Sequence, residues 1–188
     1  MKTFAIIFAA FLFASSAVAQ EKSNDAMNRQ IKQLGLDHTS VTFDAGSGTS
    51  KLMAVAENFS NHDADSAGVE AMNFAMGFFY PGQSLKSSPE SVHFSFWVLT
   101  KKPRFAENHH LTVDLDGRTV DLGDARYAAK PNQNLEYLNF DIPRTDLVAI
   151  GAAHTVTFHI GTRALTGTGS QIKLIAATSK LADVSFSN

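Results

Sequence analysis

The chain contains seven histidines, the residue type best suited to acid–base chemistry and metal binding near neutral pH. His110 and Asp114 lie four positions apart in an alternating segment, so both side chains fall on one face of a strand. These two residues are therefore the candidate metal ligands. No H-E-x-x-H motif or comparable local signature occurs, so a metal site would need ligands from distant strands. Hydrogen-bonded or solvated histidines are the favoured interpretation, and we predict no cofactor.

A candidate ligand site includes the only tryptophan of the chain, Trp97. His93 and Trp97 share one face of the same predicted strand, and Tyr137 lies on another predicted strand. An aromatic ring can pack in a core or act as a platform for a sugar ring. We expect core packing for Trp97, because large apolar residues occupy both faces of its strand. We expect Tyr137 to be half buried in the sheet.

A third candidate is an anion site at Thr168, Gly169 and Ser170, where the sequence predicts the start of a helix. The first backbone N–H groups of a helix have no partner within the helix and attract anions. Thr168 and Gln171 also match a capping box, which satisfies two of these N–H groups without a ligand. Capping is the favoured role for Thr168.

Residues typical of hydrolases occur in the chain without a local pattern. The G-x-S-x-G elbow of many serine hydrolases is absent, and no spacing of Ser, His and Asp singles out a catalytic triad. Triads are recognised by their geometry rather than by their order along the chain. We therefore expect a non-catalytic protein. The alternative is a small secreted hydrolase whose site is assembled from distant His and Asp residues.

The composition excludes several classes of protein. Of 188 residues, 44% are hydrophobic and 18% are charged, which is enough for a packed core and argues against disorder. The absence of Cys excludes disulfides and thiolate metal sites. With 16 basic and 18 acidic residues, the formal net charge is −2, so we expect no nucleic-acid partner.

Residues 1–19 have the pattern of a secretory signal peptide. Lys2 is followed by the apolar run Phe4–Phe13 and then by Ala17-Val18-Ala19, a small-residue cleavage site. The apolar run is about half of the roughly 20 residues that a membrane-spanning helix needs, and no later run approaches that length. We therefore predict an exported bacterial protein, periplasmic or extracellular, without a transmembrane segment after cleavage.

The remaining chain divides into a polar leader or short helix at 20–37 and a single β-rich domain at 38–188. Alternating apolar residues predict about eight antiparallel strands, in a mostly β architecture that is either β-sandwich-like or α+β. The segment 91–101 is the strongest strand and is predicted to be central, and the segment 128–134 is predicted to be a loop. Asp116-Gly117 predicts a hairpin, because a type I′ turn needs positive φ at both of its central positions.

Two helices are predicted in the last third of the chain, a short one near 143–150 and a longer one near 169–182. Pro143 is a favourable residue at the start of the short helix, and Asp141 is its candidate cap. Gly151 is predicted to end this helix, since glycine is common just after a helix C-terminus.

The stretch Asn134–Asp183 resembles a segment of uncharacterised secreted bacterial proteins. The similarity is carried by the run Leu138–Leu147, by Ile150 and Ala153, by the run Val156–Gly161 and by the final helix. In such proteins the segment looks like a strand, a short helix, a strand and a closing helix. The resemblance implies this order of elements, and it assigns no catalytic residue and no named family.

The sequence therefore predicts a secreted, non-catalytic, β-rich domain with a binding or structural role. Its partner would be a small ligand or a protein of the cell envelope. A small ligand would lie on a concave sheet face or between sheet and helix.

Overall fold

The computed structural model describes residues 28–29, 31–36, 39–55, 58–59, 68–83, 85 and 87–183. The predicted signal peptide lies outside these residues, as do much of the predicted leader and the last five residues of the chain. In the described leader, residues 28–29 and 31–33 are helical. No helix of the described part is long and apolar enough to cross a membrane.

About half of the described residues lie in antiparallel β-strands, as the alternating sequence predicts. The strands are β1 (Thr39–Asp44), β2 (Thr49–Val55), β3 (Ala71–Pro81), β4 (Ser91–Leu99), β5 (His110–Leu115), β6 (Arg118–Asp124), β7 (Arg126–Lys130), β8 (Leu135–Pro143), β9 (Val156–Ile160) and β10 (Arg163–Thr166). They form a six-stranded sheet in the order β1-β2-β3-β4-β8-β7 and a four-stranded sheet in the order β10-β9-β5-β6. The mostly β fold class is confirmed.

Both predicted helices are present, as α1 (Arg144–Ala152) and α2 (Gly169–Ala182). A short 3-10 helix, Pro131–Gln133, joins β7 to β8. The capping box of α2 is formed: the Thr168 N–H donates to Gln171 Oε1 at 2.8 Å, and the Gln171 N–H donates to Thr168 Oγ1 at 3.4 Å. The two helices pack against each other, and α2 also contacts β3.

An aromatic core joins the inner faces of the two sheets. Phe158 of β9 meets Phe74 of β3 and Phe96 of β4, each with ring centroids 5.9 Å apart. Phe94 and Phe96 point inward from β4 and are fully buried. Burial of such rings is the main favourable contribution to folding in a chain without disulfides.

Strand β4 is central, because it pairs with β3 on one side and with β8 on the other. The predicted hairpin joins β5 to β6, with φ of 49° at Asp116 and 87° at Gly117. Both expectations are confirmed.

The start and the end of α1 differ from the prediction. Asp141 does not cap the helix: Pro143 is the N-cap and makes no side-chain hydrogen bond, while the Asp141 carboxylate binds Arg126 and His93. Gly151 lies inside the helix, which continues to Ala152. A Cβ at Gly151 would lie 2.8 Å from the Ala176 Cα of α2. The glycine is therefore required by the close packing of two helices, and the chain does not end its helix there.

Two edge strands were not predicted. The first, β7, overlaps the segment predicted as a loop at 128–134, and the second is β10. The residues of β7, RYAAK, have no apolar alternation because most of them are exposed. Pairing with β8 holds them in a strand, and local sequence does not encode that pairing.

A buried carboxylate ties β7 and β8 to the segment that precedes β5. Glu136 is 1% exposed and accepts the backbone N–H groups of Arg104 and Phe105 at 2.9–3.1 Å. It also accepts the Tyr127 hydroxyl at 2.9 Å. Burial, followed by the interaction with Glu136, raises the pKa of Tyr127 to about 12. Hydrogen bonds from these three donor groups compensate the cost of burying the carboxylate.

Candidate functional site

The candidate site is the outer face of the six-stranded sheet, the side turned away from the four-stranded sheet. Residues alternate across β4: the inward side chains are buried, and the outward ones meet solvent or each other. Four of the five exposed large apolar residues in the described chain lie on this outer face: Val55, Phe79, Trp97 and Leu99. The expected core packing of Trp97 is wrong, because its side of the sheet carries no covering element in the described chain and the residue is 39% exposed.

The first aromatic group on this face is formed by Trp97 of β4 and Tyr137 of β8. They are direct partners in the strand register, and their rings meet edge to face with centroids 6.5 Å apart. Lys130 Nζ lies 5.3 Å from the centre of the Tyr137 ring. The Trp97 Nε1–H donates to Ser95 Oγ at 2.7 Å, which fixes the indole on the sheet.

The second aromatic group is Phe79 of β3 with Lys51 of β2. The Phe79 residue is 54% exposed, and Lys51 Nζ lies 5.7 Å from its ring centre. Both residues line a shallow depression of about 380 Å³, together with five residues of the β1–β2 hairpin. One of these is Asp44, whose pKa is lowered first by a hydrogen bond from Ser47 and then by one from the Gly46 N–H.

A polar cluster separates the two aromatic groups. Its centre is Asp141 of β8, which binds His93 Nδ1 at 3.0 Å and the Arg126 guanidinium of β7. Arg126 first, and His93 after it, lower the pKa of this carboxyl group. Arg126 Nη2 also lies 3.5 Å from His93 Nδ1. The other ring nitrogen, Nε2, has no partner among the described residues, so it is available to a ligand.

The middle of the face is also polar. Ser95 Oγ donates to Asn139 Oδ1 at 2.8 Å, and Asn139 Nδ2 donates to the Arg126 carbonyl at 3.5 Å. This pattern orients the Asn139 amide. Beside His93 on β3 is Gly77, where a Cβ would lie 2.0 Å from the Leu52 carbonyl oxygen of β2 and 2.6 Å from Met53 Sδ. Strands β2 and β3 therefore approach closely here, and the Met53 side chain lies over Gly77 on the outer face.

The basic residues of the outer face differ in whether a carboxylate pairs with them. Arg126 is paired with Asp141, whereas Lys51 and Lys130 form no ion pair with a described carboxylate. Each of these two lysines lies over an aromatic ring instead. Asp44, which lines the depression beside Lys51, has no basic partner among the described residues either, so the Phe79 end holds one ammonium group and one carboxylate, and the Tyr137 end holds Lys130.

The structure does not bring the candidate metal ligands together. His110 of β5 faces two carboxylates of β6: its Nε2 lies 2.9 Å from Asp121 and its Nδ1 lies 2.7 Å from Asp124. Asp114 binds His159 at 2.9 Å and Thr119. Both residues are on the outer surface of the four-stranded sheet. In the described part of the chain, no group of three or more His, Asp or Glu residues could hold a metal ion.

At the candidate anion site, at the start of α2, Thr168 and Gln171 form a capping box that uses the backbone N–H groups. The Thr168 hydroxyl binds the Gln171 N–H and lies 2.9 Å from the Ser170 hydroxyl. Gly169 is exposed and has no atom within 4 Å of its Cβ position. No further group in the described chain points to an anion at this helix end.

Comparison with protein-family models, curated proteins and solved structures finds no match for this chain. The chemistry of the outer face is thus read from its own residues.

The three predicted ligand-site residues, His93, Trp97 and Tyr137, lie on this one face. Sequence reasoning missed Arg126, because its strand has no apolar alternation, and it assigned Asp141 to the helix cap. A signal was present in β4: His, Ser and Trp alternate with Val and Phe, so one face of this central strand is mixed in polarity while the other is apolar.

Proposed function

We propose that the protein is an exported, non-catalytic binding domain that holds its ligand on the outer face of the six-stranded sheet. The observation that carries the proposal is the exposure of Trp97 and Phe79 on either side of a polar cluster with a free His93 nitrogen. Binding sites combine aromatic surface with a few placed polar groups, and this face has both. The extended apolar surface of a solvent-exposed sheet also favours an interaction over a purely structural role.

The hydrogen bonds that hold the side chains of this face in place also support a binding role. The Trp97 indole is bonded to Ser95, the Asn139 amide is bonded at both ends, and His93 is held by Asp141. A site that is ordered before the ligand arrives loses less conformational entropy on binding. All of these side chains project from strands rather than from loops.

A thermal-shift screen tests the proposal. The panel holds divalent metal ions, fatty acids, phosphorylated metabolites and short glycans. A ligand at a hundred times its Kd adds about 2.7 kcal/mol, and each kcal/mol moves the midpoint by roughly 2–4 °C, so a true ligand shifts it by about 5–11 °C. We expect Trp97→Ala and Phe79→Ser to abolish the shift. Val148→Ala, at an exposed apolar residue of α1, is the matched control. A shift that survives both outer-face variants, or no shift with any class, would overturn the proposal.

Export is tested by the mass of the protein recovered from the cell envelope or medium of a bacterial host. Cleavage after Ala19 leaves a chain that begins at Gln20. Recovery of the uncleaved chain only from the cytoplasm would contradict the exported state.

A small hydrolase is the second candidate, and the His93–Asp141 pair is the observation that favours it. A carboxylate that holds Nδ1 leaves Nε2 able to act as a general base. The described hydrogen bonds of His93 are to Asp141 and Arg126, and neither supplies a hydroxyl or thiol that the imidazole could activate. Hydrolysis would therefore need a water molecule activated at Nε2. Turnover of chromogenic esters or glycosides that is lost in His93→Gln would establish this candidate, and the same substrates untouched by the unmodified chain would exclude it.

A further inference from the structure

We propose that the ligand of the outer face is an acidic glycan: an oligosaccharide of several sugar rings that carries carboxylate or sulfate groups. This inference rests on the proposed function and names the chemical class of its ligand.

The spacing of the aromatic groups fits an extended chain. Gly77 lies opposite His93, so Phe79 lies beside residue 91, and Trp97 is six positions further along β4. At about 3.4 Å per residue, the backbone positions of Phe79 and Trp97 are roughly 20 Å apart along the sheet. The Phe79 ring lies 6.4 Å from the His93 ring, centroid to centroid, so it reaches towards the polar cluster. A ligand that reaches both must be an extended oligomer, and a single sugar cannot contact both rings.

Each aromatic group is accompanied by a lysine. Lys51 lies over Phe79, and Lys130 lies over Tyr137 beside Trp97. A sugar ring has an apolar face that can lie against an aromatic ring, and an acidic substituent on that sugar would meet the adjacent ammonium group. A ring and a cation occur at both ends of the face, and Asp44 lies beside Lys51 at one of them, which suits a polymer whose acidic sugars are spaced among neutral ones.

The polar cluster between the two ends fits hydroxyl groups. His93 Nε2 has no described partner, and the groups around Asn139 and Arg126 supply further donors and acceptors. An acyl chain or an apolar protein surface laid across the cluster would leave His93 Nε2 unpaired, at a cost of about 1–3 kcal/mol if it is buried. A sugar hydroxyl can pair with it.

Charge favours a glycan over single-stranded nucleic acid. Stacking rings and lysines would also suit exposed bases and phosphates. A nucleic acid carries a phosphate on every unit, however, whereas among the described residues the face has two lysines without a carboxylate partner, on a chain of net charge −2. Sparse acidic groups on a mostly neutral polymer match this distribution better.

The test is titration of the single tryptophan of the exported chain, followed by its fluorescence and by calorimetry. The probes are a hyaluronan hexasaccharide, which carries a carboxylate on every second sugar, the neutral glycan cellohexaose, poly-L-glutamate and a dT oligomer of similar length. We expect the hyaluronan hexasaccharide to change the Trp97 emission and to bind at least tenfold more tightly than the other three. Its affinity should fall as NaCl is raised, because exposed charges are screened.

Variants locate the bound chain. Lys51→Gln and Lys130→Gln should each weaken binding of the hyaluronan hexasaccharide about two- to fivefold, the loss expected of one exposed ion pair. Phe79→Ser should weaken it further. Lys173→Gln, at an exposed position of α2, is the matched control and should have no effect.

The outcomes separate this inference from the proposed function. Equal binding of cellohexaose would overturn the acidic character of the ligand, and equal binding of poly-L-glutamate or the dT oligomer would overturn the glycan. If another class from the thermal-shift panel binds and Trp97→Ala abolishes that shift, the binding domain stands and the glycan inference fails. If no class binds, both fail.

Discussion

Gly151 of α1 lies directly against Ala176 of α2, so close that a Cβ at position 151 would come within 2.8 Å of the Ala176 Cα. The atom that limits the approach belongs to the backbone, and a rotamer change cannot relieve the contact. The two helices must therefore separate if residue 151 is larger than glycine.

Gly151→Ala should lower the free energy of unfolding by about 1–3 kcal/mol, the usual cost of overpacking a tight interface. Urea denaturation with an unchanged m value is the measurement. Gly169→Ala is the control, since nothing lies within 4 Å of its Cβ position at the start of α2. That control should be neutral or slightly stabilising, because alanine restricts the unfolded chain. Equal stability of the two variants would show that the helices are not in close contact.

Glu136→Gln should destabilise the protein, by about 1–3 kcal/mol for the donor groups left without an acceptor. The amide can accept with its oxygen, but its NH₂ group would face backbone N–H groups that now bind the carboxylate. Denaturation of this variant is compared with Glu107→Gln, at an exposed site, where the change should stay within about 0.5 kcal/mol. Similar values for both would contradict the role of Glu136 as an anchor.

The bridge between His110 and two aspartates predicts a specific dependence of stability on pH. Both ring nitrogens face carboxylates, and only the protonated ring can donate from both. The hydrogen bond with Asp124 is the main cause that raises the pKa of His110 above 6.5. The stabilisation by the protonated His110 bridge is thus fully present below pH 6.5 and is lost as the pH rises through the higher pKa of His110 in the folded state.

Unfolding of the unmodified chain and of His110→Gln at pH 5.5 and pH 9 measures this contribution. The loss caused by the substitution should be larger at the lower pH. His154→Gln serves as the control, because its backbone N–H rather than its ring binds Asp116. A loss that is independent of pH, or that grows with pH, would refute the protonated bridge.

The stabilisation that Asp116 provides should be lost when the residue is substituted and when the pH is lowered. Its carboxylate accepts the N–H groups of His154 and Thr155 and the Thr155 hydroxyl, at 2.8–3.1 Å. The Thr155 N–H is the first cause that lowers the pKa of Asp116. Because the folded-state pKa is depressed, the stabilisation is present above about pH 4 and is lost as the pH falls through the lower value.

Asp116→Asn and Asp116→Ala separate the two roles of this residue. Both variants lose the charge, but Asn tolerates the positive φ of 49° while Ala is strained there. We expect both to be less stable than the unmodified chain at pH 7, with Ala the lower. Denaturation at pH 7 and pH 3 checks the order, and the gap between Asn and the unmodified chain should shrink at pH 3. A constant gap would assign the effect to geometry alone.

The local elements of this protein are determined by short stretches of its sequence. Alternation in β4, the Asp116-Gly117 turn and the Thr168–Gln171 capping box each depend on residues within a few positions of one another. Their geometry follows from backbone conformation and nearby hydrogen bonds, which is why they can be predicted from one sequence.

Only the tertiary structure brings the residues of the candidate site together. His93 and Asp141 are 48 positions apart, and Trp97 meets Tyr137 only because β4 and β8 pair in one particular register. A shift of one residue would turn each of these side chains to the opposite face. The sequence by itself determined that β4 has one apolar and one mixed face. Only the assembly of the sheets determined which face is covered, because the aromatic core buried one side and left Trp97 on the other.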